Sequence, residues 1–162
     1  MTSIDVLLKR NQQLGEVTPT ERPAPPSLQV AVLTCMDARI RAADLFGLDL
    51  GEAHVLRNAG GVVTDDVIRS LALSQRKLGT TGVIIVQHTG CGVATITEDD
   101  FKDELESETG LRPTWSVEAF RDVESSVRRS MQRVRRSPYL PHAENVRGFV
   151  YDVKTGKLTE VE

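Results

Sequence analysis

Aromatic residues are scarce: Phe, Trp and Tyr make up 4% of the 162 residues. Nucleic-acid modules stack bases on aromatic platforms, so this scarcity argues against one. An excess of positive charge is missing too. With 20 Lys and Arg against 23 Asp and Glu, the net charge is −3, and no field draws the chain toward phosphate backbones or acidic membrane surfaces. No apolar run approaches the ~20 residues needed to cross a bilayer. Residues 1–11 lack the basic, apolar and small-residue succession of a signal peptide. These absences predict a cytoplasmic protein that binds neither nucleic acid nor membrane. Cysteine is limited to Cys35 and Cys91, and in a reducing compartment a disulfide is the less expected use of them.

What is present suits one globular domain, with 40% hydrophobic and 27% charged residues and length enough for a core of its own. Ser3 is placed to cap a helix over residues 4–14, with Ile4, Leu7 and Leu8 on one face. Pro19, Pro23, Pro25 and Pro26 then favour an extended arm over 17–27. A helix on such an arm either clasps a partner subunit or folds back on its own domain. The chain thus divides into a helix and proline-rich arm, 1–27, and a main domain, 28–162.

In that domain the apolar runs 28–33, 53–56 and 83–86 read as strands. A short helix over 42–46 stops at Gly47, and 58–61 forms a turn. A long helix begins at Thr64 or Asp65 and closes at Gly79. The acidic stretch 98–108 reads as a solvated helix face. A second long helix is predicted over 116–136, and 146–153 with 157–161 as a hairpin around Thr155-Gly156. Strands alternating with helices predict a single α/β domain. Its sheet is mostly parallel and flanked by helices, with an N-terminal helical arm and a C-terminal strand or hairpin.

The chemistry-bearing residues cluster at strand ends. Cys35 follows the first strand; His88 and Cys91 follow the strongest one. In open parallel sheets, ligands bind beyond the carboxyl ends of the strands. Two thiols and an imidazole suit zinc, and three protein ligands leave the fourth position of a catalytic site open. A lone cysteine at a strand end is otherwise a small buried hydrophobe; the agreement of both segments favours the metal. Cys35, Asp37 and Arg39 alternate along an extended segment and so share one side. Asp37 either orients the attacking water or is itself the fourth ligand. Arg39 can pair with it bidentately and keep it ionised.

Cys35-Met36-Asp37-Ala38-Arg39, Arg57-Asn58-Ala59-Gly60-Gly61 and His88-Thr89-Gly90-Cys91-Gly92 resemble, in order and spacing, the motifs of the β-class carbonic anhydrases. The likeness is nearest to the small bacterial and archaeal members. It implies one Zn2+ per subunit on Cys35, His88 and Cys91, a catalytic pair of Asp37 and Arg39, and a Gly92 amide that helps to place substrate. It further implies reversible hydration of carbon dioxide to bicarbonate and a proton, and a homodimer or homotetramer with the N-terminal arm over the neighbour. Asp37 is then expected to swing between the metal at low pH and Arg39 at high pH. Two thiolates offset the metal's charge, so activity should favour alkaline pH. Two alternatives stand beside this reading: a related zinc hydrolase of carbonyl sulfide or carbon disulfide, and a non-catalytic, zinc-stapled binding protein.

Overall fold

Five short strands order themselves around two that are apolar on both faces. The structure, a computed structural model, describes residues 2–15 and 21–162. Strands β1 (Val30–Cys35), β2 (Ala53–Asn58), β3 (Gly82–His88), β4 (Val146–Tyr151) and β5 (Leu158–Val161) form one sheet in the order β2-β1-β3-β4-β5. The first four are parallel; β5 turns back antiparallel on β4, as the predicted hairpin requires. The two central strands, β1 and β3, are covered on both sides and carry continuous apolar runs for that reason. β1 and β2 remain paired as far as Cys35 and Asn58, so both strands run two residues beyond the predicted ends.

Helices α1 (Ser3–Leu14), α2 (Ala42–Phe46), α3 (Asp65–Leu78), α4 (Glu98–Thr109) and α5 (Val123–Arg135) fill the intervals. Thr64 caps α3 by accepting from the Val67 amide, and Gly79 ends it in the left-handed region. Leu71 of α3, with Val127, Met131 and Val134 of α5, packs with Leu33 and Ile85 into the main core. A smaller cluster joins Cys35, Ile40, Val62, Cys91 and Phe120 beyond the strand ends.

Two expectations are corrected. The cap of α1 is Thr2, not Ser3: its hydroxyl accepts from the Asp5 amide while Asp5 returns a bond to the Thr2 amide at 2.7 Å, a reciprocal capping box. The helix predicted over 116–136 starts only at Val123, where the Asp122 carboxylate accepts from the Ser125 amide at 2.8 Å. The preceding residues are diverted by Glu98 of α4, whose carboxylate takes the Val117 and Glu118 amides at 3.0 and 3.2 Å. Thus α4 has the predicted solvated face, with no buried residue, but its first residue anchors a remote segment. Of the arm, Pro19 and residues 16–20 lie outside the described residues, and 21–27 form neither helix nor strand. No residue of α1 is buried: Ile4, Leu7, Leu8 and Leu14 are all exposed.

Candidate metal centre

Parallel pairing of β1 with β3 brings their carboxyl ends side by side. Cys35 is the last residue of β1 and His88 the last of β3. Cys91 follows after a reversal at Gly90, whose φ of 63° is left-handed. The donor atoms of Cys35, His88 and Cys91 all lie within 4.8 Å of one another, and all three residues are buried. The two sulfurs are 3.9 Å apart and not bonded.

The histidine shows what this cage is for. Its Nδ1 lies 2.8 Å from the Thr89 carbonyl. A carbonyl only accepts, so Nδ1 carries the proton and, in the neutral ring, Nε2 keeps its lone pair. That Nε2 is buried and has no hydrogen-bond partner among the described residues. Orphaned buried nitrogen is rare and costly, and a metal ion would satisfy it.

The thiols agree. The Cys91 S–H holds Cys35 far below the ordinary thiol range, at about 4; burial opposes this and His88 assists. Cys91 is pushed up by the Cys35 sulfur beside it and by burial. Burial also presses His88 down, but the Cys35 thiolate and the Thr89 carbonyl outweigh it and the net shift is upward. The pair therefore accommodates one negative charge by itself. A dication would let both thiols ionise, which is the condition for two thiolate ligands. Donor type, spacing and the bare Nε2 all fit zinc.

Asp37 and Arg39 stand beside the cage. Arg39 donates through Nε to Asp37 Oδ1 at 2.9 Å and through Nη2 to Oδ2 at 2.7 Å, a bidentate pair, and its main-chain amide adds a third bond at 2.9 Å. Nη2 also reaches the Gly90 carbonyl at 3.0 Å, tying the segments after β1 and β3 together. The guanidinium, then the Arg39 amide, hold the Asp37 carboxyl well below the usual carboxylate range. Asp37 Oδ2 is 3.7 Å from His88 Nε2, next to the three donors but not one of their cluster. Gly92 opens a short 3-10 turn, Gly92–Thr95, and a Cβ there would meet nothing within 4 Å, so open space adjoins it.

The sequence alone gives Asn58 a place in the turn and Arg57 no role, although both sit in a quoted motif. Asn58 exchanges two side-chain bonds with the Val62 main chain, at 2.8 and 3.1 Å, and closes the turn Ala59–Gly61. Arg57 reaches back to the Cys35 and Asp37 carbonyls.

The model of the carbonic anhydrase family matches residues 30–121. β-Carbonic anhydrase 1 of Mycobacterium tuberculosis is 50% identical over 161 residues, which cover 99% of each chain. The chain belongs to the β-class carbonic anhydrases. The crystal structure of a carbonic anhydrase from Streptococcus mutans matches it with a TM-score of 0.89 at 40% identity, over 100% of this chain and 99% of that one. More distant is a carbon disulfide hydrolase of Acidithiobacillus thiooxidans, 33% identical over 155 residues, 83% of this chain and 77% of that protein. As a β-carbonic anhydrase the chain is a zinc enzyme that interconverts carbon dioxide and bicarbonate, and Cys35, His88 and Cys91 form a group able to hold the ion.

Proposed function

We propose that Cys35, His88 and Cys91 are the zinc ligands of this carbonic anhydrase and that Asp37, fixed by Arg39, is its catalytic carboxylate. The observation that carries the reading is the bidentate Asp37–Arg39 pair set 3.7 Å from a bare, buried His88 Nε2. Zinc held there would lower the pKa of a water ligand and so supply the nucleophile, with the two thiolates keeping that pKa toward the alkaline side. The chain's part is orientation. Held ionised by Arg39, Asp37 can only accept a hydrogen bond, and it fixes the direction of the attacking oxygen's remaining lone pair. Arg39 holds the acceptor still and, through Gly90, keeps its distance to Cys91 constant. The Gly92 amide, beside open space, is the donor for the product's developing negative charge. At low pH Asp37 would move to the metal and close the site; at high pH it pairs with Arg39 and leaves the site open, and the Asp37–Arg39 pair seen here is that open arrangement.

Carbon dioxide is favoured over carbon disulfide because the full-length relatives at 50% identity are named as carbonic anhydrases, while those named as carbon disulfide hydrolases match at 33% or less over part of the chain. The enzyme works in the cytoplasm as a homodimer or homotetramer. Its two free thiols must stay reduced to bind the metal, and the exposed Ile4, Leu7, Leu8 and Leu14 of α1 fit a neighbour's surface.

Stopped-flow hydration of carbon dioxide by zinc-loaded Asp37→Ala tests this. A fall of about a hundredfold or more is expected. Full activity refutes the role of Asp37, and a zinc-loaded wild type with no activity favours a stapled binding protein instead.

A further inference from the structure

Arg57 lies near the end of β2, the edge strand, and its side chain crosses the carboxyl end of β1. The guanidinium donates from Nε to the Cys35 carbonyl at 3.0 Å and from Nη2 to the Asp37 carbonyl at 2.7 Å. Among the described residues no carboxylate lies within ion-pair distance of it, so these two carbonyls are what orient it. Two carbonyls flanking one residue match the fork of a guanidinium, and no other side chain offers paired donors at that spacing.

We propose that Arg57 is a positioning residue for hydration: it pins the Asp37 main chain to that of Cys35, so that the Asp37 carboxylate stays on Arg39 and out of the fourth metal position. The inference rests on the role given to Asp37 above. Its physical basis is the short distance at stake. Asp37 Oδ2 is already 3.7 Å from His88 Nε2, and a carboxylate oxygen ligates zinc at about 2.0–2.2 Å. A small displacement of the 36–38 segment is enough to exchange one partner for the other. Cys35 cannot follow that displacement, because its sulfur belongs to the cage. By bonding both carbonyls at once, Arg57 makes Asp37 move only if Cys35 moves. The Ile40 amide also donates to the Asp37 carbonyl, at 3.0 Å, and the Met36 amide to the Asn58 carbonyl, at 2.8 Å; Arg57 is the one side chain that ties Asp37 directly to Cys35.

The test uses full-length protein loaded with zinc for kinetics and with cobalt for spectroscopy, at one fixed pH. Arg57→Met is expected to keep one metal per chain, to lose about 10–100-fold in kcat with KM little changed, and to lose the change in the cobalt d–d bands that azide, a small anion seeking an open position, induces in the wild type. Arg57→Lys carries a single donor group, reaches one carbonyl, and should lie between the two. Asp37→Ala/Arg57→Met should give the cobalt spectrum of Asp37→Ala alone, because Arg57 acts through Asp37. Wild-type kcat and azide response in Arg57→Met overturn the proposal, as does a lysine variant equal to wild type. Loss of the metal from Arg57→Met also overturns it, since Arg57 would then hold the ligand rather than Asp37. Wild-type activity in Asp37→Ala is a different result: it removes the parent reading.

Discussion

Replacing Gly61 by alanine should separate the stability of the scaffold from that of the site. Gly61 has φ of 63° and lies against the two strands that end in Cys35 and His88: a Cβ there would come 2.9 Å from the Cys35 nitrogen, 2.9 Å from the Val86 oxygen and 3.1 Å from the Thr34 carbonyl carbon. All three are main-chain atoms of β1 and β3 and cannot rotate aside. The left-handed conformation costs an alanine about 1–2 kcal/mol, and forced overpacking adds about 1–3 kcal/mol. The sum, about 2–5 kcal/mol, is a large part of the ~5–15 kcal/mol that holds a domain folded. Relief comes by lifting the turn away from the Cys35 amide and from Gln87, whose Nε2 donates to the Gly61 carbonyl at 3.3 Å. The strain therefore reaches the proposed metal ligands. Gly79→Ala is the control, since φ is 75° there but nothing lies within 4 Å of the added carbon; only the conformational cost applies. Urea denaturation with zinc analysis of both variants is the assay. Gly61→Ala should lose more stability than Gly79→Ala by about 1–3 kcal/mol and should release zinc more readily to a chelator. Equal losses in the two variants would refute the close-packing argument.

Three further outcomes follow from the geometry. Glu98 titrates below its ordinary 4.5: burial opposes this, but the Val117 amide and Lys102 outweigh it. Its contribution to stability is thus complete above that value and is lost as the pH falls through the lower folded one. Acid denaturation followed by Trp115 fluorescence should show this loss in the wild type and a shallower pH dependence in Glu98→Gln; identical profiles contradict it. Leu71 is fully buried in the main core, so Leu71→Ala should cost about 2–5 kcal/mol in urea denaturation; a smaller loss means the site collapses around the cavity. Chelating the metal should expose both Cys35 and Cys91 to a thiol reagent, and readdition of zinc should protect both; protection of one alone contradicts a two-thiolate site.

The elements that local residues punctuate were readable from the sequence. Thr64, Gly47 and Gly79 bound their helices through caps that involve only near neighbours. The grouping of Cys35, His88 and Cys91 was readable because strand ends and donor types can both be identified locally, and parallel pairing of β1 with β3 does the rest. The false start at 116 had a remote cause. Nothing within 116–122 announces that Glu98, about twenty residues earlier, takes the amides a helix would need. Arg57 was missed for a related reason. Its partners are main-chain carbonyls, which leave no side-chain signature, and only the register of β2 against β1 brings it over Cys35 and Asp37.

X-ray absorption at the zinc edge of the purified holoenzyme bears most directly on the metal centre. With Asp37 on Arg39, the expected shell has two sulfur scatterers at about 2.3 Å and one imidazole nitrogen at about 2.0–2.1 Å, completed by one oxygen atom, with one sulfur fewer in Cys91→Ser. A wild-type shell with fewer than two sulfurs, or a Cys91→Ser shell identical to the wild type, would contradict the assignment of Cys35, His88 and Cys91.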